Sequence, residues 1–580
     1  MEKEQLEHLR HSCAHLLAAA VLELYPKAKR TIGPAIETGF YYDFDFGVDK
    51  VTEEDLKKIE DKMREISPTW KTFEREEVDA EKAKAVFADN EYKLELISEF
   101  SSEGQKLTLY KSGNYVDLCR GGHSENPSKE LRHFKLLSVA GAYWRGDEKN
   151  KMLTRIYGTA FPTKDELQKY LTMIEEARKR DHKKLGVDLD LFTFSELVGP
   201  GLPLWTPRGT LVRNLLDQYV WSLREMRGYV RVEIPHITKK DLYVMSGHWD
   251  KYKDDLFRIT TREGHEFAMK PMNCPHHTQI YSRKQWSYRQ LPQRYANTTV
   301  CYRDEQSGEL SGLSRVRAFA QDDAHVFCRM SQVKEEFMKI WDIIHTFYRT
   351  FGFDLRVRIS KHDPAHPEKY LGDKERWKIA EGILTEIANE KKADAFEGVG
   401  EAAFYGPKLD FMAKDAIGRE WQVATIQLDM NMPERFDLTC ISEDGSRERI
   451  VMIHAAIMGS IERFLSILIE HTAGSFPVWL SPVQVQFASV SEKHVEGAKK
   501  LAEEFEAAGV RVAVDDSNES VGKKVRIAAG EKAPYVVIIG DKELTAGEDW
   551  MVRVRGQQDQ VKMTKEAFVA KLKKEINERV

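Results

Sequence analysis

The chain has 580 residues, too many for one hydrophobic core and enough for about three or four domains. Its 42% hydrophobic and 31% charged content suits a globular protein, and no apolar run approaches the roughly 18 residues that span a bilayer. A net charge of −5 excludes indiscriminate attraction to nucleic acid, so any RNA contact must come from local basic patches.

The opening segment, MEKEQLEHLRHSCAHLLAAAVLEL, is acidic and amphipathic, without the basic start or cleavage site of a secretion signal, and predicts a helix. His11 and His15 share one face of it. Helix and strand patterns then mix to about residue 160, punctuated at Gly33-Pro34, Gly104, Gly113 and Gly121-Gly122, which predicts an α+β domain over 1–160. Within it, DLCRGGH places Cys119 and His123 four residues apart. Thr163 to Glu166 is a capping box, and Leu167, Leu171 and Ile174 recur at helical spacing before the charged stretch Glu175–Lys184. That predicts a solvated connector helix over 161–186.

Residues 187–474 carry strands rich in β-branched and aromatic residues between long amphipathic helices. Gly199–Trp205 is loop chemistry ahead of a helix from about Arg208 to Arg227, and a strand over Tyr229–Ile234 meets Pro235. Over 475–580 the strands VQVQFASV, VRVAV and PYVVIIG, with helices near Glu492–Ala508 and Ser520–Ala529, predict a small α/β sheet with parallel strands. Six cysteines (Cys13, Cys119, Cys274, Cys301, Cys328, Cys440) do not make a disulfide scaffold over such a length, and a reducing cytoplasm is the expected home.

Chemistry concentrates in three distant segments. Cys274 lies in MKPMNCPHH, His325 ends RAFAQDDAH and His454 opens HAAIMGSIERF. A thiolate and two neutral imidazoles suffice to hold zinc with one side open, the pattern of a site that takes a substrate. Each alone is more often a core or surface residue; it is their setting that counts. Arg303, Glu305, Arg315 and Arg463 suit a nucleotide and its phosphates. A phosphate loop of the Walker type is excluded, because Gly400 to Gly406 has the wrong spacing and Pro407 stands where Lys is needed.

These segments resemble the three motifs of the class II aminoacyl-tRNA synthetases, and with the Cys–His–His set they resemble the threonyl-tRNA synthetase family in particular. The resemblance runs from His11 to Arg553. It implies an antiparallel-sheet catalytic core, an N-terminal α+β editing domain and a C-terminal α/β anticodon-binding domain. Motif 1, the helix and strand ending at Pro235, implies a homodimer. Motif 2, from CYRDE to RVRAF, implies Arg303 on the α-phosphate of ATP, Glu305 on the adenine amino group and Phe319 stacked on the base, with Arg315 beside them. Motif 3, Gly459–Phe464, implies Arg463 on the γ-phosphate side, with Mg2+ bridging the phosphates.

It further implies Zn2+ on Cys274, His325 and His454, contacting the amino group and hydroxyl of L-threonine and so rejecting valine. Asp323 would partner the amino group, and Gln321, Tyr405, Lys408, Gln422, Thr425 and Gln427 would line the pocket. His248, in SGHWDKY, matches a position that assists proton movement at the terminal ribose of tRNA(Thr). The chain departs from the family at His276, where Gly is usual, and at Ser311, where His is usual.

Serine also carries a hydroxyl, and losing one methyl is worth only about 1–3 kcal/mol of discrimination, so a second, hydrolytic site is expected. The HxxxH and CxxxH pairs, His11 with His15 and Cys119 with His123, resemble the editing domain shared by the threonyl and alanyl families. In the threonyl branch they imply positioned water rather than a metal, with Tyr42, Lys93 and Asp117 in the same pocket. Asn518, Glu543 and Arg553 fall where the family reads anticodon bases. Bacterial members usually begin with a ubiquitin-like domain, and a form without it is expected here. Three rivals have less support: a prolyl or seryl ligase, an RNA-binding regulator that has lost catalysis, and a free-standing editing hydrolase. The first lacks this zinc set, the second typically loses its ligands or phosphate arginines, and the third has no use for an ATP site.

Overall fold

A computed structural model describes residues 3–580, which form two compact units divided between Glu175 and Glu176. In the first unit α1 (Lys3–Leu24) is a central helix, not a surface one. Cys13, Ala14, Leu16, Leu17, Ala18, Ala20 and Val21 are all wholly buried. It lies against strand β1 (Gly39–Asp45) and helix α2 (Leu56–Ile66), with Phe40, Phe44, Ile59 and Met63 filling the space between. A second, three-stranded antiparallel sheet comprises β2 (Glu74–Val78), β3 (Leu107–Ser112) and β4 (Tyr115–Leu118), beside α3 (Glu91–Ser102). Strands β5 (Phe134–Tyr143) and β6 (Met152–Ala160) complete the sheet of β1. The capped helix α4 (Lys164–Lys179) follows, with no buried residue along it.

The charged stretch predicted as part of one connector helix breaks at Arg180. Asp181 accepts the Lys183 amide as an N-cap and starts the separate helix α5 (His182–Asp188). Next come α6 (Pro207–Glu225), with Thr206 as its cap and Pro207 where a missing N–H costs nothing, and β7 (Val230–Arg231). The strand expected over Tyr229–Ile234 is shorter than its β-rich sequence, pairing in parallel over two residues only.

The large sheet of the second unit has eight strands. After β8 (Glu266–Met269), which belongs to a small separate sheet, and α7 (Cys274–Ser282) come β9 (Gln293–Tyr302), β10 (Ala318–Cys328), helix α8 (Val333–Arg349), β11 (Asp354–Lys361), β12 (Ala395–Val399), β13 (Lys408–Lys414), β14 (Glu420–Asp429), β15 (Val451–Ser460) and helix α9 (Ile461–Thr472). The order across the sheet is β7-β9-β10-β15-β14-β13-β11-β12, antiparallel except at its two edge pairs. Side chains alternate faces along each strand. Ala324, Val326, Leu409, Ile426, Leu428 and Ile453 point to the core with Phe337, Ile340, Ile344 and Phe347 of α8. The residues between them form the opposite face, which carries the site. A bidentate pair, the half-buried Arg294 with the buried Glu336 at 2.6 and 2.7 Å, ties β9 to α8.

The C-terminal sheet is larger than its sequence pattern suggests. Strands β16 (Val485–Ser489), β17 (Val512–Asp515) and β18 (Tyr535–Ile539) are parallel as predicted, with α10 (Val495–Ala507) and α11 (Val521–Gly530) as crossovers. Two further strands, β19 (Trp550–Val554) and β20 (Gln560–Met563), add antiparallel before α12 (Lys565–Glu578), giving the order β17-β16-β18-β19-β20.

Candidate active sites

On the open face of the large sheet, strand register makes the first site. His325 of β10 is paired directly with His454 of β15, which is paired in turn with Gln427 of β14. Gln321 and Asp323 precede His325 at two-residue intervals, and Thr425 and Lys408 take the same face on β14 and β13. Together with Arg303, Tyr405, Gln422 and Arg463 they line a cavity of about 490 Å³.

Cys274 opens α7 behind this wall. Its sulfur and one ring nitrogen from each of His325 and His454 lie within 4.8 Å of one another, and all three residues are buried. His325 Nε2 and His454 Nδ1 are 3.1 Å apart. Two nitrogens on one tetrahedral zinc, with bonds of about 2.0 Å, would be about 3.3 Å apart. His454 Nε2 is 3.0 Å from the wholly buried Asp429 carboxylate, which also accepts the Asn431 and Met432 amides. That contact sets the ring so that its other nitrogen faces the cluster. Burial pushes the Cys274 thiol well above the ordinary range and lowers His325 well below it. The His325 imidazole is therefore a neutral donor, while a thiolate there requires a cation beside it. The donor set fits zinc.

At the other end of the cavity, motif residues are held by their neighbours. Asp322, one residue before Asp323, faces the other way; its carboxylate accepts the Ile457 and Met458 amides at 3.0 Å each, where the β10–β15 register slips by two residues. Burial, opposed by Arg224 at 3.2 Å, raises this carboxyl to about 7. The buried Glu462 accepts the Ala320 amide at 2.8 Å and the Ser460 hydroxyl at 3.1 Å, stapling the start of α9 to β10. Arg463 then reaches the cavity, within electrostatic range of Arg315. Among the described residues no carboxylate pairs with Arg303 or Arg463, and the Arg303 Nε is buried without a partner. Arg303 instead lies 5.2 Å from the Phe319 ring and 5.6 Å from that of Tyr252. Glu305 binds Arg315 Nε at 2.7 Å.

Some sequence-predicted residues sit elsewhere. His248 is not on the cavity wall: it is fully buried 3.7 Å from the Cys274 sulfur, bonded to Ser246 and stacked on Tyr252, and burial lowers it to about 3. Cys274, Glu305, Arg315 and Phe319 also lie outside the lining. His276 is buried with neither ring nitrogen hydrogen-bonded, and burial with Lys270 nearby lowers it to about 4, so it acts as a neutral space-filler. Ser311 donates its amide to Arg315 at 3.1 Å, inside the loop.

Residues not singled out in the sequence organise the pocket. Asp410, wholly buried, takes Lys408 at 2.9 Å, Gln422 at 2.8 Å, Thr425 at 2.7 Å, Ser360 at 2.7 Å and Arg358 at 3.0 Å. The buried Lys270 donates to Asn273 Oδ1 at 2.8 Å, so the Asn273 amide nitrogen is left to donate to Asp323 at 3.1 Å.

The second site is in the first unit. His11 and His15 of α1 meet Cys119 and His123 of the loop after β4, their donor atoms all within 4.8 Å. The Cys119 sulfur is 3.5 Å from His11 Nε2 and 3.3 Å from His123 Nε2. Gly121 and Gly122, at φ +104° and +80°, let the loop double back: a Cβ on Gly122 would come 3.1 Å from the His8 ring. His123 also stacks on Phe73 at 4.1 Å. Burial, then the like-charged neighbour His11, lowers His123 to about 3; burial also lowers His11 and His15 and raises the Cys119 thiol to about 11. All four are neutral near pH 7, so the thiol is no nucleophile, but each imidazole can accept from water. A cavity of about 280 Å³ opens beside them, lined also by Tyr42, Lys93 and Asp117. Asp117 is buried and takes Lys93 at 2.7 Å and the hydroxyls of Tyr42 and Tyr115. Against the cost of burial, Lys93 and Arg30 hold its carboxyl well below the usual range.

At the C-terminal sheet, Asn518 and Glu543 follow the carboxyl ends of β17 and β18, where parallel sheets bind ligands. Glu543 takes the Gly540 amide at 3.0 Å. Arg553 is paired with Val536, near the opposite end of β18, so the register does not group it with the other two.

Three family profiles match the chain: the "tRNA synthetase class II core domain (G, H, P, S and T)" over 257–472, the "Anticodon binding domain" over 484–575 and the "Threonyl and Alanyl tRNA synthetase second additional domain" over 107–157. The chain is similar to the threonine–tRNA ligase of Porphyromonas gingivalis (49% identity, 98% of this chain and 88% of the relative). It is also similar to that of Flavobacterium johnsoniae (48% identity, 96% and 85%). Among solved structures, the RNA binding domain of threonyl-tRNA synthetase from Cryptosporidium parvum matches 68% of the chain and 98% of its own length, at 38% identity and a TM-score of 0.65.

Proposed function

The chain belongs to the threonine–tRNA ligase family, and from that premise we propose how its own residues divide the work. It activates L-threonine with ATP, transfers it to tRNA(Thr) and hydrolyses the mischarged seryl-tRNA. We assign editing to 1–160, the connector to 161–186, aminoacylation to 187–474 and anticodon binding to 475–580; the profile matches fall inside three of these.

One observation carries the aminoacylation reading: the two histidines of the buried Cys274–His325–His454 set line the same cavity as two arginines without carboxylate partners. Cys274, His325 and His454 would hold zinc, which when bound supplies a Lewis-acid centre for the amino group and hydroxyl of threonine. Asp323, oriented by Asn273, accepts an N–H of the α-amino group. Gln427, Tyr405 and the Asp410-held trio Lys408, Gln422 and Thr425 enclose the side chain and carboxylate. ATP enters as its Mg2+ complex: Arg303 meets the α-phosphate as the carboxylate attacks, Arg463 the γ-phosphate, and Phe319 and Glu305 the adenine. For Glu305 to reach the base it must share or release Arg315. His248, buried and neutral, could serve the terminal ribose only after Tyr252 moves aside.

In the editing site His11, His15, Cys119 and His123 position water against the seryl ester, and the Lys93–Asp117–Tyr42 network grips the ribose end. Asn518, Glu543 and Arg553 contact anticodon bases. A homodimer through α6 and its following strand accounts for the exposed Met226, Val230 and Ile237. The free cysteines suit a cytoplasmic protein.

The test is ATP–pyrophosphate exchange on protein of assayed zinc content. Exchange with threonine, weaker exchange with serine and none with valine is the expected order. No exchange with any amino acid on folded, zinc-loaded protein would overturn the reading.

A further inference from the structure

We propose that His182 is a positioning residue for ATP, holding the motif 2 loop against the helix that carries Arg463. His182 opens α5 and is buried at 3% exposure. Its Nε2 accepts the Leu313 N–H at 3.0 Å, and its Nδ1 is 2.6 Å from the Glu470 carboxylate on α9. A nitrogen that accepts a backbone N–H carries no proton, so the proton is on Nδ1 and is donated to Glu470. The two partners select one neutral tautomer.

Asp181, His182 and Glu470 have donor atoms within 4.8 Å, as a metal site would. Their valences are already taken. Glu470 also receives the His182 amide at 3.2 Å and Arg419 at 2.6 Å, while Asp181 caps its own helix. The cluster is a strap, and what it straps is specific. Leu313 is at the tip of the loop that bears Arg303, Glu305 and Arg315. Its side chain is wholly buried in the main core, and the next residue, Ser314, contacts Ser466 of α9 at 3.3 Å. The adjoining Gly312 has φ +51°, and a Cβ there would fall 2.4 Å from His182 Nε2, so ring and loop are in closest approach.

The ring therefore couples the two arginine-bearing elements at their rear. Without it, the Leu313 N–H is buried and unpaired and the loop must be ordered by ATP itself, a cost that falls on ATP affinity and not on threonine. This inference rests on the assignment of the loop to ATP.

The experiment compares His182→Ala, His182→Gln, Gly312→Ala and Arg315→Ala with the parent full-length chain in ATP–pyrophosphate exchange, with the Michaelis constant measured for each substrate. His182→Ala should raise KM for ATP about tenfold, the size of one lost hydrogen bond, and move KM for threonine less than about twofold. His182→Gln, whose amide oxygen can accept the Leu313 N–H, should recover most of that. Gly312→Ala crowds the ring from the loop side and should show the same ATP selectivity, which keeps the test open if His182→Ala does not fold. A fall in kcat with both KM values unchanged, or an equal rise in both, would mean structural support only and overturn the proposal. KM for ATP raised by Arg315→Ala but by neither His182→Ala nor Gly312→Ala overturns the role of His182 alone. No change in all of them overturns it together with the assignment of the loop.

Discussion

Cys274 and Cys119 each face histidines, yet their surroundings ask for different chemistry. Cys274 meets two imidazoles, one of them backed by the buried Asp429 carboxylate, so negative charge accumulates where only a cation can balance it. Cys119 meets three neutral imidazoles, and the nearest carboxylate, Asp117, is already matched by Lys93 and Arg30. Cys274→Ser should therefore abolish bound zinc and threonine activation, whereas Cys119→Ser should leave the zinc content at about one per chain, both read by metal analysis. A pH profile separates the sites further. His123, at about 3, stays neutral at every pH above about 4, so hydrolysis of seryl-tRNA over the enzyme-free rate should be flat from pH 8 to about 5.5. A step centred near 6.5 would contradict the neutral, water-positioning role. Stability follows the same sign. Because folding lowers these pKa values, the folded state binds fewer protons below about pH 6.5, and stability present above that pH erodes as the pH falls, by up to about 1.4 kcal/mol per unit for each histidine.

Strands explain which of these residues could be read before folding. Gln321, Asp323 and His325 alternate with Ala320, Ala324 and Val326, and a period of two puts the polar set on one face whatever the partner strand. The same rule reaches Asp410, two residues from Lys408, and Asp429, two from Gln427. Neither stands out locally, because the groups each one holds come from other strands. His182 is hidden for the same reason: its partners are 131 and 288 residues away. The strands β19 and β20 escape notice because short antiparallel additions lack a crossover helix to announce them, and the burial of α1 depends on two sheets and a helix the chain has yet to make. The Asp410 hub makes a test at this scale. Asp410→Ala strands Arg358 and Lys408 without their buried carboxylate and should cost about 3–5 kcal/mol in denaturant unfolding, with a raised KM for threonine. Asp410→Asn keeps the shape and the Thr425 and Gln422 contacts, so it should lose less on both measures.

At the scale of the whole chain, the two sites answer different questions about one substrate. The aminoacylation pocket tests for a hydroxyl, which valine lacks, and a site built around a hydroxyl rejects such an analogue by about 10⁴–10⁵. Serine passes that test and differs by a methyl, worth about 10–200-fold, which is too little for protein synthesis. The hydrolytic site of the first unit must then accept serine and exclude threonine. Substitution of both His11 and His123 by Ala should therefore leave threonine-dependent exchange within about twofold of the parent, since neither residue touches the aminoacylation cavity. It should also let seryl-tRNA accumulate in the presence of serine and ATP, and cut the AMP released per stable ester. Unchanged AMP release with no seryl-tRNA would show that serine is discarded before transfer, at the adenylate, and would move proofreading out of the N-terminal unit. A loss of threonine activation in the same variant would show that the two units do not work separately.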